Sequence, residues 1–164
     1  MITGRATYGI ALQEVDAAAT WGAFRAGVTA FMVANAASGP GAVRAMIRPE
    51  LWDYMDGILV GDCGFRFEYD RLREALGAAN MTSNALPAPT GTPLATTALL
   101  TTSTGGVAPV YVGAWGAIDM IRDPYPDAQS GGLRITALAT MDVTVARPVQ
   151  LRVLTGLEIA ASGG

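Results

Sequence analysis

Asp53, Asp56 and Asp62 form the densest acidic cluster of the sequence, and Cys63, beside the last of them, is its only cysteine. A calcium loop needs Asp or Asn at alternate positions and a glycine at the sixth. Trp52 and Tyr54 stand in those places, so the cluster reads as a solvated helix end followed by a polar loop. A nucleophilic thiol needs an electropositive neighbourhood to lower its pKa. Only Arg66 lies near Cys63 in sequence, and a small packed loop residue is the expected role. No catalytic, cofactor-binding or metal-ligating residue is assigned.

The residue types that are missing exclude more chemistry than those present suggest. The chain has no His and no Lys, and all eleven basic residues are Arg. Without imidazole there is no general base of the usual kind near neutral pH, no common nitrogen metal ligand and no Ser-His-Asp triad. Without Lys, Schiff-base chemistry and a Walker lysine are excluded. One cysteine makes neither an intramolecular disulfide nor a multi-cysteine zinc site. The glycines at Gly39, Gly41, Gly105, Gly106, Gly131 and Gly132 fit no G-x-G-x-x-G or phosphate-loop pattern and are explained by turns. The expectation is therefore a protein that is not an enzyme and carries no cofactor.

Arg122 and Asp123, followed by Pro124-Tyr125-Pro126-Asp127, make a charged, turn-rich segment. It is either a contact surface on a loop or a set of solvated charges. Trp21, Phe24 and Phe31 either line a ligand pocket or, as aromatic stripes at helical spacing usually do, form core.

The chain is 164 residues long, 51% hydrophobic and 15% charged, with a formal net charge of −3. That length suffices for one domain, or two small lobes, with a buried core. The charge gives no basic field to hold a phosphate backbone, so no specific nucleic-acid site is expected. No signal-peptide pattern and no apolar run of about 18 residues is present, so no membrane partner is expected.

Several elements must position these residues. Residues Met1 to Thr20 read as loop and short strand. Trp21, Phe24, Val28 and Phe31 predict a helix with Thr20 as its N-cap and Gly39-Pro40 as its stop. Ala42–Ile47 predicts a short buried strand. Pro49 opens a second helix, with Leu51, Trp52 and Met55 inward and Gly57 at its end. Ile58–Phe67 reads as a long loop or irregular hairpin, Asp70–Leu76 as a short polar helix, and Ala79–Ser83 as a strand. Asn84–Gly106 is an extended connection with one strand near Leu99. Leu133, Ile135, Ala137, Ala139, Met141, Val143 and Val145 occupy alternate positions. They predict one long strand with one face buried, paired antiparallel with a second strand through Val149, Leu151 and Val153. The residues alone thus lead to a soluble α+β domain without a visible active site.

Val112-Gly113-Ala114-Trp115-Gly116, Ile121-Arg122-Asp123-Pro124-Tyr125, Leu138-Ala139-Thr140-Met141-Asp142-Val143 and Ala146-Arg147-Pro148 follow one another in order. This region resembles the carboxy-terminal part of tailed-bacteriophage major capsid proteins of the Hong Kong 97 type. Upstream, Pro49-Glu50-Leu51-Trp52, Leu76-Gly77 and Asn84-Ala85-Leu86-Pro87 also resemble that family's second half.

The resemblance implies a truncated Hong Kong 97-like α+β fold, with helices on a mixed sheet and a long antiparallel hairpin near the C-terminus. It implies a lead-in segment at residues 1–19, an axial-domain-like lobe at 20–106 and a peripheral-domain-like β lobe at 107–164. The function it implies is structural: self-association with capsomer neighbours, as hexamer or pentamer in an intact shell enclosing phage DNA, with scaffold or portal proteins as further partners. The expected location is the virion, after the bacterial cytoplasm. Leu59, Val60, Phe65 and Phe67 are the first candidate subunit contacts, with burial in the domain's own core as the other reading of the two Phe residues. Arg122, Asp123 and Tyr125 are the second set. The family's arm, extended hairpin and spine helix have no counterpart before Met1, which implies the second half of a subunit that stops short of complete shells. With no Lys, the chain cannot supply the amine of an isopeptide cross-link. The alternative is a small ligand- or peptide-binding module that uses the exposed face of the long hairpin.

Overall fold

The computed structural model describes residues 4–61, 65–76, 80–116, 118–123 and 131–159. They form two compact units, one running to Pro109 and resuming at Ala146, the other spanning Val110–Val145.

The first unit is a five-stranded mixed sheet with helices on one face. Its strands are β1 (Ala11–Ala18), β2 (Val43–Ile47), β3 (Met81–Thr82), β4 (Ala95–Thr102) and β9 (Leu151–Glu158), in the spatial order β1-β9-β4-β2-β3. β1 runs parallel to β9 and β3 parallel to β2, while β4 is antiparallel to both its neighbours. The helices are α1 (Trp21–Val33), α2 (Pro49–Asp56) and α3 (Glu68–Leu76). The stripe on α1 buries Trp21, Phe24, Gly27, Val28 and Phe31. These pack with Leu51 and Met55 of α2, Leu72 and Leu76 of α3, and Val43, Ala45, Ile47, Ala98, Leu100, Leu154 and Leu157 of the sheet. Gly27 lets α1 settle close to the sheet, since a Cβ there would stand 2.8 Å from Leu100 Cδ1.

The helix ends differ from the expected ones. Thr20 makes no side-chain cap. The free N–H of Trp21 instead donates to Oε2 of the buried Glu68, at 2.7 Å. α1 stops before Gly39-Pro40, because Asn35 enters the left-handed region at φ 53°. Ala36 N–H then donates to Phe31 O at 2.8 Å and Asn35 N–H to Met32 O at 3.1 Å, a Schellman closure. In α2, Leu51 and Met55 point inward as expected, but Trp52 is 39% exposed. Its ring meets Tyr69 edge-on, with centroids 6.2 Å apart. α3 starts two residues before Asp70, since Glu68 is drawn in as the cap of α1. The strand expected over Ala79–Ser83 is reduced to Met81–Thr82 among the described residues.

The second unit is a two-stranded antiparallel ribbon. β5 (Val110–Ala114) pairs with β8 (Met141–Val145), and β6 (Asp119–Asp123) pairs with β7 (Arg134–Leu138). A long antiparallel hairpin near the C-terminus is therefore present, with partners other than those expected. The strand predicted over Leu133–Val145 breaks at Ala139-Thr140. Between the pairs Ala114↔Met141 and Asp119↔Leu138 one side uses four residues and the other two, so the ladder cannot run unbroken.

The strand after Pro148 does not fold back on Leu133–Val145. A 3-10 turn at Pro148–Gln150 redirects the chain, and β9 enters the first unit between β1 and β4. Its Leu151, Val153, Leu154 and Leu157 are all buried. A strand apolar on both faces is suited to the middle of a covered sheet and not to an exposed hairpin. The C-terminal strand thus lies with residues 20–106, and residues 11–18 of the lead-in segment form the edge strand beside it.

Candidate functional site

Residues 58–60 and 66–68 pair as two short antiparallel arms. Leu59 and Phe67 form an antiparallel bridge. Val60 N–H donates to Arg66 O at 2.7 Å, and Glu68 N–H to Ile58 O at 2.9 Å. The second of these ties the base of the arms to the first residue of α3, and an ion pair from Arg66 to Glu74 ties the second arm to the same helix. Phe65, just before the second arm, has 95% of its surface in water. Leu59 and Phe67 are exposed beside it and Val60 is half-buried. The structure brings these four candidates together, and core burial is not the role of either Phe.

Arg122 and Asp123 sit at the end of β6, in the other unit. Arg122 is exposed and stands opposite Ile135, and Asp123 stands opposite Arg134. Tyr125 lies outside the described residues, as do Asp62 and Cys63. Asp53 and Asp56 are exposed on α2. Among the described residues no group of three or more His, Cys, Asp or Glu side chains could hold a metal ion. No helix among them is long and apolar enough to cross a membrane.

The ribbon is the larger surface. Directly opposed residues share a face, so Val110 with Val145, Val112 with Val143 and Ala114 with Met141 form one apolar face of its first half. Tyr111 with Thr144 and Gly113 with Asp142 form the other. In the second half Met120 with Ala137 and Arg122 with Ile135 share a face, opposite Ile121 with Thr136 and Asp119 with Leu138. Val112 is 67% exposed and Met141 64%. Met120, Ile121, Ile135, Leu138 and Val143 are exposed too. The alternation was legible in the sequence, but neither face is covered.

Sequence reasoning missed the Arg48 clamp. The guanidinium donates to Oε2 and Oε1 of Glu50 at 2.9 and 2.8 Å, and to the carbonyls of Asn84 and Leu86 at 3.2 and 2.5 Å. It thereby fastens the turn after β3 to the start of α2. The hydrogen bond from Arg48 holds the Glu50 carboxyl down at about 2, and the same bond raises Arg48. The sequence signal was Arg-Pro-Glu at a helix start, where an acid in the first turn is favoured.

No protein-family profile matches the sequence, and no curated protein matches it. Solved structures do match the fold. A virus-like particle from Pyrococcus furiosus superposes with a TM-score of 0.59 at 14% identity, over 94% of this chain and 60% of that one. This is the phage-type major capsid protein fold. The capsid of a native GTA particle gives a TM-score of 0.60 at 12% identity, over 90% of this chain and 50% of that one. A structure of Mycobacterium phage Che8 gives 0.58 at 14%, over 93% and 56%. The chain thus spans 50 to 60% of the length of these capsid-fold structures. The alternative peptide-binding surface was placed on a hairpin of Leu133–Val145 with the strand after Pro148, and that hairpin does not form.

Proposed function

We propose that this chain is a structural capsid subunit, or the part of one, whose work is self-association into a shell. The observation that carries this reading is the ribbon, where Val112, Met141 and Val143 on the apolar face of the first half, and Met120, Ile121, Ile135 and Leu138 in the second, lie in water. A two-stranded ribbon is marginal in water unless another surface packs on it, and apolar patches of this extent mark association sites. A fold otherwise found in virus-like and capsid particles supplies the kind of partner, namely capsomer neighbours of the same protein. On this reading residues 20–106 with β9 are the axial lobe and the ribbon is the peripheral one. Phe65, Phe67, Leu59 and Val60 are contacts of the axial lobe, and Arg122, Asp123 and Tyr125 those of the peripheral lobe.

The enclosed cargo is phage DNA, held by the closed wall and not gripped, since a net charge of −3 supplies no cationic lining. The protein passes from the bacterial cytoplasm to the virion, with scaffold or portal proteins as assembly partners. No turnover chemistry is assigned to it.

Amide hydrogen exchange at low and high protein concentration tests this. Residues 110–123 and 134–145 are expected to exchange fast when dilute and to gain protection as concentration rises. Equal exchange at all concentrations would contradict the reading.

A further inference from the structure

The face of the sheet turned away from the helices has an open pocket of about 430 Å³ at its β2–β3 edge. It is lined by Arg44, Ala45, Met46, Asn80, Met81 and Thr101. Met46 stands opposite both Met81 and Leu99, and Arg44 opposite Thr101, so the two methionines and the stem of Arg44 share one floor. β3 is the last strand of the sheet and only two residues long, so the pocket opens sideways at an edge.

We propose that this pocket is the socket for Phe65 of a second copy of the chain. The proposal rests on the self-association reading above. Phe65 is an almost fully exposed aromatic ring next to an arm fastened to α3. The pocket offers the groups that hold a ring best: polarizable thioethers and a guanidinium that lies on an aromatic face. Its volume admits a benzyl side chain. Charge agrees as well. Arg44 has no ion pair among the described residues, and neither do Asp53 and Asp56, which lie on α2 just before the first arm.

Knob and socket lie at different places on the same compact unit. Such a contact closes as a two-fold pair when each copy's Phe65 enters the other's socket, and otherwise runs head to tail into rings, or filaments if the rotation does not close. Asn80 adds a structural detail, because its side-chain amide nitrogen and oxygen have no hydrogen-bond partner among the described residues. A small shift of the pocket wall on docking would let them reach the incoming backbone.

The test replaces Phe65 with the photoreactive ring of p-benzoylphenylalanine in the full 164-residue chain, mixed with isotope-labelled chain and irradiated at the highest soluble concentration. The expected product is an intermolecular adduct mapped by mass spectrometry to Met46 or Met81. Met81→Glu, at an exposed position, is expected to lower its yield about tenfold or more without altering thermal unfolding. Adducts on another surface of the second copy would overturn the socket and leave self-association standing. The absence of any intermolecular adduct would overturn the contact itself, and the ribbon's exchange behaviour then decides the wider reading separately.

Discussion

Oε2 of Glu68 accepts the backbone N–H of Trp21 at 2.7 Å, across 47 residues of sequence. A carboxylate from the start of α3 thus closes the start of α1, and both helix ends are fixed by one buried group. The partial positive charge at a helix N-terminus favours this arrangement.

Glu68→Ala is expected to cost about 1–3 kcal/mol, through the orphaned N–H and the lost charge-assisted bond. Glu68→Gln keeps an acceptor and should cost less. Thermal or urea unfolding of the two variants measures the difference, and equal stability of wild type and Glu68→Ala would remove the cap from the account.

Gly156→Ala meets two obstacles at once. Gly156 has φ +71°, and an added Cβ would stand 2.8 Å from Asp16 N and 3.2 Å from Asp16 Cα, at the bulge in β1. Backbone cannot yield as a side-chain tip does. A loss of about 2–4 kcal/mol is expected, read as a fall in the urea midpoint.

Asn35→Gly should leave α1 as stable or slightly more so, because glycine adopts φ 53° without strain. Asn35→Val should cost about 1–2 kcal/mol. Equal unfolding midpoints for Gly and Val would show that the left-handed closure does not hold in solution.

The Arg48–Glu50 clamp gives a pH dependence of known sign. The folded Glu50 titrates at about 2, below its ordinary value. Its contribution is therefore complete above the ordinary carboxylate range and is lost as pH falls through about 2. An NMR titration of the Glu50 carboxyl should show the low midpoint, and Arg48→Gln should raise it toward the ordinary range, with the backbone hydrogen bond still holding it lower, and loosen the turn at Asn84–Leu86.

Legibility in the sequence followed from whether a signal was local. The 3-4 spacing of Trp21, Phe24, Val28 and Phe31 gave α1, and Pro49 and Gly57 bracketed α2, because periodicity and turn chemistry act within a few residues. The alternation from Leu133 to Val145 announced β structure but not its partner. Register across the Gly116–Ile118 region depends on how many residues each strand spends there. Glu68 and Arg48 act on groups 47 and 38 residues away, and no local pattern marks such contacts. The antiparallel arms at Leu59 and Phe67 were placed correctly, whereas the exposure of Phe65 could only be seen in the structure.

Sedimentation velocity over a concentration series, with wild type beside Met141→Asp, tests self-association most directly. Met141 lies on the apolar face of the ribbon and is exposed, so the substitution should leave the first unit folded. The account predicts that wild type shifts reversibly from monomer to larger species as concentration rises, and that the variant shifts far less. A wild type that sediments as a monomer at every concentration, or a variant that associates equally well, would contradict it.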